Sequence, residues 1–145
     1  MIAVDSSILI DLLGEDLRAD AAEASLRLAL GQGPVVVCEI VISEVTAGLG
    51  HGTDVMDALE EMGVHFSPVE QRAAIRAGEM QRKYNQRKRA EAAAPAASVD
   101  RAGRTVPDFI VGAHALLQCS ALITRDAGFF RDYFKGLKVI VPKAS

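Results

Sequence analysis

Four carboxylates, Asp5, Glu44, Asp108 and Asp126, carry the most pointed chemical signal in the chain. Asp5 ends the apolar run Ile2-Ala3-Val4, and Asp126 follows Leu122-Ile123-Thr124-Arg125. Asp108 comes directly after Pro107, in the first turn of a predicted helix, where the helix dipole favours a negative charge. Glu44 lies inside another predicted helix, facing the same crevice if Ile40, Val41 and Val45 pack on a sheet. Ligands of open parallel sheets collect outside the carboxyl ends of the strands, so four acids from distant positions can converge there. Such a cluster repels itself and raises its own pKa values unless a cation neutralises it. Hard oxygen donors suit Mg2+ or Mn2+. One or two such ions can activate a water and stabilise a leaving oxygen in an in-line attack on a phosphodiester, with no nucleophilic side chain. Singly, each acid also fits an ordinary role as a cap, a turn former or an ion-pair partner. Together they favour a site. Glu39 is a poor fifth ligand, because five residues at about 100° each set it roughly 140° round the helix from Glu44.

The elements that would position these acids alternate strand and helix. Short apolar runs predict strands over 2–4, 35–38, 64–66, 121–124 and 138–141. Helical spacing covers 7–13, 17–30, 39–49, a segment capped by Thr53-Asp54 and ending near 62, one long helix over about 69–94, 107–118, and a short helix near Phe130. Gly14, Gly31-Gln32-Gly33-Pro34 and Gly50-His51-Gly52 punctuate them. Strands separated by helices mean right-handed crossovers. The expected fold is α/β, three layers α/β/α around a central, mainly parallel sheet. With 145 residues the expectation is a single domain over 1–145, without repeat or dividing linker.

Composition agrees. Half the residues are hydrophobic, only 5% are aromatic and Trp is absent, so the core must be built from Ala, Val, Leu and Ile, the usual filling of a covered parallel sheet. The beginning Met1-Ile2-Ala3-Val4-Asp5 lacks the basic region of a signal peptide, and no apolar stretch is long enough for a membrane span. Cys38 and Cys119 sit in apolar runs at no metal-ligand spacing, which suits buried free thiols in a reducing, cytoplasmic setting. The net charge of −3 hides a segregation: nine bases face three acids between Gln71 and Arg104. This basic stretch can grip a polyanion locally, or be no more than a solvated helix face.

Other candidates are weaker. His51, His65 and His114 have no mutual spacing suited to a metal or a base, and read as structural or surface. The Gly31-Gln32-Gly33-Pro34 turn lacks the Lys-Ser/Thr of a phosphate loop, and no nucleophile elbow surrounds Ser6 or Ser7. The aromatic group Phe129, Phe130, Tyr133 and Phe134 suits core or dimer packing better than base stacking.

The runs Val4-Asp5-Ser6-Ser7-Ile8-Leu9-Ile10, Ile42-Ser43-Glu44-Val45, Pro107-Asp108-Phe109-Ile110-Val111-Gly112-Ala113-His114-Ala115-Leu116 and Leu122-Ile123-Thr124-Arg125-Asp126, with Phe130, resemble a PIN domain. The likeness is nearest to the VapC-type toxins of bacterial toxin–antitoxin pairs, and is collinear from Met1 to about Pro142. The resemblance implies that Asp5, Glu44, Asp108 and Asp126 are the catalytic, metal-binding quartet, supported by Ser7 and Thr124. It further implies an Mg2+-dependent endoribonuclease, with Mn2+ as a substitute, which is neutralised by a small cognate antitoxin and forms homodimers. Ser7 departs from the commoner Asn, weakening the support of the metal ligands more than metal binding itself. The segment over about 84–104 is longer and more basic than usual. Arg87, Lys88 and Arg89 make it a candidate flap for RNA phosphates or antitoxin. Two rivals compete with the nuclease. A metal-dependent phosphatase of the haloacid-dehalogenase kind would want a second Asp where Ser7 stands. The other rival is a non-catalytic PIN-like module that binds RNA or protein.

Overall fold

The computed structural model describes residues 1–14, 17–92 and 104–143. Five short strands, β1 (Ile2–Val4), β2 (Val35–Val37), β3 (Val64–Phe66), β4 (Ala121–Ile123) and β5 (Lys138–Ile140), form one sheet in the order β3-β2-β1-β4-β5. Every pairing is parallel, with Val4 opposite Ile123 and Ala3 opposite Val36. All three residues of β1, β2 and β4 are buried, as continuous apolar strands are when helices cover both faces of a sheet. The result is the three-layer α/β/α architecture expected from the alternation of elements.

The helices are α1 (Ser6–Leu13), α2 (Ala19–Gln32), α3 (Glu39–Leu49), α4 (Gly52–Met62), α5 (Gln71–Ala92), α6 (Val106–Gln118) and α7 (Ala127–Tyr133). Most lie within two or three residues of the sequence reading. The start of α4 differs, with His51 at the N-cap and Thr53 and Asp54 inside the first turn. There the Asp54 carboxylate still meets the positive end of the helix dipole. Gly50 and Gly63 close α3 and α4 with positive φ, a conformation that glycine adopts without a Cβ clash.

Helix α6 is the central helix, with Phe109 and every residue from Val111 to Ala115 buried. The polar helix α5 packs along it and buries only Ala73, Ala77 and Tyr84. A six-ring cluster of Tyr84, Phe109, Phe129, Phe130, Tyr133 and Phe134 joins α5, α6 and α7, mostly edge to face at centroid separations of 5.0 to 6.4 Å. These rings are packing, as their sequence context suggested.

Topology fixes where a site can form. From β1 the chain builds outward through β2 to β3, then returns past β1 to lay down β4 and β5 on its other side. The order therefore reverses between β1 and β4, and the crevice at their carboxyl ends is the switch point at which open α/β sheets bind ligands.

Candidate functional site

Asp5 and Thr124 leave β1 and β4 side by side at that switch point. The Asp5 N–H donates to the Ile123 carbonyl at 2.9 Å, which continues the ladder one residue past each strand. The Asp5 side chain is only 9% exposed and has three donors around it. Its Oδ2 accepts from Thr124 Oγ1 at 2.7 Å and from Ser7 Oγ at 3.1 Å, and its Oδ1 accepts from the Ser6 N–H at 2.8 Å. Burial nevertheless dominates and pushes the Asp5 carboxyl above the usual carboxylate range, with Asp108 adding to the rise.

Glu44 comes from α3, whose Val41 and Val45 are buried, so the helix presents Glu44 as the sequence pattern required. Partial burial first, then the negative charges of Asp5 and Asp108, raise its pKa, while a hydrogen bond with the Ser6 side chain lowers it. The negative charge of Asp108 thus acts on both Asp5 and Glu44. Asp126 joins them through Thr124, whose Oγ1 accepts the Asp126 N–H at 3.0 Å while donating to Asp5. A single buried hydroxyl therefore sets the spacing of two of the four acids.

Two of the acids are engaged elsewhere. Asp108 Oδ2 accepts the Thr105 N–H at 3.1 Å, in the manner of a capping-box carboxylate. Asp126 Oδ2 accepts from Nη1 of Arg104. Among the described residues, no three acidic, imidazole or thiol side chains stand close enough to hold one ion in these rotamers. The donor set still fits a hard divalent cation in kind, being four carboxylates at a switch point with raised pKa values on Asp5 and Glu44. Asp108 and Asp126 would exchange a donor for the ion.

Ser7 and Thr124 both donate to the Asp5 carboxylate, and two residues beside the acids, Ser6 and Asp11, were passed over in the sequence. Ser7 Oγ, besides donating to Asp5, accepts from the Arg125 N–H at 3.4 Å, tying α1 to the loop after β4. The Arg125 side chain pairs at 2.6 Å with Asp11, which is 2% exposed, and this fixes the same loop from below. Ser6, passed over for want of a nucleophile elbow, bridges Asp5 and Glu44. Arg104 was counted only as one base of the stretch 71–104, without a role of its own. Arg104 had one available signal, a base four residues ahead of Asp108.

The RNA-binding candidates Arg87, Lys88 and Arg89 lie near the end of α5. Of the segment 84–104, residues 84–92 are the last turns of α5, and 93–103 fall outside the described residues. Arg87 pairs with Asp132 at 2.9 Å and lies 5.1 Å from the Tyr133 ring centre, Lys88 sits 5.6 Å from that of Tyr84, and Arg89 is exposed on α5. Glu39 is exposed and accepts the Val69 N–H at 2.9 Å, outside the acid group as its helical phase indicated. His114 is buried against Ser67 Oγ at 3.2 Å, with its pKa lowered by that burial, and is structural. Burial raises the Cys38 thiol and pushes Cys119 up to about 11, so neither is a ready thiolate.

A PIN domain model matches residues 2–135. The chain belongs to the PIN domain family. Solved structures share the fold at low sequence identity. VapBC2 from Rickettsia felis, bound to a DNA fragment from its promoter, matches with TM-score 0.70 and 15% identity over 99% of this chain and 100% of the other. A toxin–antitoxin complex from Klebsiella pneumoniae gives 0.64 and 21% over the whole of both chains. Mycobacterium tuberculosis VapC20, described as a sarcin-ricin loop cleaving toxin, gives 0.55 and 16% over 95% and 99%. No curated protein matches. Among the described residues of this PIN domain, no helix is long and apolar enough to cross a membrane.

Proposed function

We propose that this PIN domain is a metal-dependent endoribonuclease, the VapC-type toxin of a toxin–antitoxin pair, acting in the cytoplasm. The observation that carries the reading is the buried Asp5 carboxylate at the β1/β4 switch point, held by Thr124, Ser7 and Ser6 and tied through Thr124 to Asp126. The toxin–antitoxin context of the structural neighbours supports it. Asp5, Glu44, Asp108 and Asp126 would hold Mg2+, or Mn2+ in its place. An ion held by these residues would supply a water of lowered pKa for the attack and screening for charge on the phosphodiester. The chain's own work is positional. Thr124 and Ser7 hold Asp5 in one rotamer, Ser6 sets Glu44 against Asp5, and the first turn of α6 presents Asp108. RNA is the substrate, a small cognate antitoxin the inhibitor, and a homodimer the working assembly.

The lack of a convergent trio of ligands among the described residues favours a second reading, a PIN-like module that binds RNA or protein without cutting. One experiment separates them. Purified protein free of antitoxin is incubated with a mixed pool of structured and single-stranded RNAs in Mg2+, Mn2+ or EDTA, and compared with Asp5→Asn. Cleavage that needs the cation and disappears in the variant is expected. RNA left intact under every cation by a folded wild type that still retains RNA would overturn the nuclease reading in favour of the module.

A further inference from the structure

The acid group contains a cation of the chain's own. Arg104 sits just before the Thr105 N-cap of α6, and three contacts place it. Its backbone N–H donates to the Tyr84 hydroxyl at 2.8 Å, its guanidinium lies 4.6 Å from the centre of the Phe129 ring, and its Nη1 donates to Asp126 Oδ2. Its side chain is 34% exposed, so the group is anchored from behind and open in front. A planar guanidinium on an aromatic face is pre-organised, always charged, and forked to match two oxygens of a carboxylate or a phosphate.

The electrostatics give this residue a task. Four carboxylates at one crevice repel a polyanion, and a phosphodiester that reaches them needs a positive group at the rim. Arg104 lies on the positive end of α6, beside the acids, with Asp126 as its present partner. We propose that Arg104 is a further catalytic residue: its guanidinium rests on Asp126 in the cation-free protein and contacts the phosphodiester once Asp126 turns to the cation. This rests on the ribonuclease reading above. It gives Arg104 two opposed effects, since it competes with the cation for Asp126 yet stabilises the charge of the reacting phosphate.

Two measurements on Arg104→Gln and Arg104→Lys read these effects separately. Isothermal titration with Mn2+ alone reports cation affinity. Turnover on an RNA that the wild type cuts reports the phosphate contact. Arg104→Gln is expected to bind Mn2+ about two- to fivefold tighter, the scale of a partly exposed ion pair. Its kcat is expected to fall by about 10²–10³, as on removal of one donor to a developing oxyanion. Arg104→Lys keeps the charge and loses the fork, so its Mn2+ affinity should stay near wild type while its turnover stays low. Loss of both affinity and turnover in Arg104→Gln would make the residue merely structural and overturn the proposal. Tighter Mn2+ binding with faster turnover would overturn it too, leaving Arg104 as a brake. Wild-type cleavage with both parameters unchanged in Arg104→Gln defeats this inference alone, whereas a wild type that cuts no RNA defeats the ribonuclease reading as well.

Discussion

Gly112→Ala should destabilise the protein, although helix propensity alone says the opposite. Gly112 lies in the interior of α6, one turn after Asp108, where alanine is favoured over glycine by about 0.8–1.0 kcal/mol. A Cβ built there would stand 2.3 Å from Cε2 of Phe134 and 2.6 Å from its Cδ2 and Cζ, more than 1 Å short of ordinary contact. Phe134 is 1% exposed and has Phe109, Phe129 and Phe130 around it with centroids 6.3 to 6.4 Å away, so the ring has nowhere to retreat. Overpacking of this kind costs about 1–3 kcal/mol, and a shortfall above 1 Å in a closed aromatic cluster belongs at the upper end. After subtracting the propensity gain, the net loss is about 2 kcal/mol, or roughly 4–8 °C in Tm for a chain of this size. Gly78→Ala is the internal control. It lies inside α5 with nothing within 4 Å of its would-be Cβ, so propensity acts unopposed and stability should rise by about 0.8–1.0 kcal/mol. Both variants would be melted in EDTA alongside wild type, followed by circular dichroism. A Gly112→Ala protein as stable as wild type would refute the packing of Phe134 against α6, and with it the aromatic support of Phe129 beneath Arg104.

The raised Glu44 pKa sets a pH-dependent outcome. A carboxyl whose folded pKa exceeds its unfolded value contributes stability below about pH 4.5 and loses it as the pH rises through the folded value. Glu44→Gln, which cannot ionise, should therefore melt above wild type at pH 7 in EDTA, and the two should converge below pH 4. Mg2+ should narrow or reverse that gap by stabilising the wild type more; a gap independent of both pH and Mg2+ would contradict the coupled acidic group. Thr124→Val keeps the shape of a fully buried side chain and removes its hydrogen bonds to the Asp5 carboxylate and from the Asp126 N–H. It should cost about 1.5–3 kcal/mol in urea unfolding, with Thr124→Ser retaining most of the stability. Equal stability of the Val and Ser variants would remove the hydroxyl from its linking role.

What could be read in the chain and what could not divide along sequence distance. Strands β1, β2 and β4 lie in short, wholly apolar runs, and such runs suit a sheet covered on both faces. The acids Asp5 and Asp126 were legible for the same reason, since a carboxylate that ends a buried strand has few places to be except the crevice. Ser7 and Thr124 came only with the resemblance to the PIN family, which places small polar residues beside those acids. Ser6 was illegible because its role depends on Glu44, 38 positions away on α3, and no periodicity reports which rotamer a serine takes against another helix. Arg104 was legible as one base of a basic stretch, but its place against Asp126 was not. Its seat is assembled from Tyr84 on α5, Phe129 on α7 and Asp126 after β4, three segments that meet only when the aromatic cluster packs. The sequence therefore announces which donors the crevice contains, while tertiary packing decides which charge balances them. Four acids read from a sequence imply a cation from outside, and here the fold itself places one positive charge against the fourth acid. An acidic crevice that has already drawn in an arginine should bind its metal less tightly than its carboxylate count suggests, and removing that arginine is the perturbation that tells the two sources of positive charge apart.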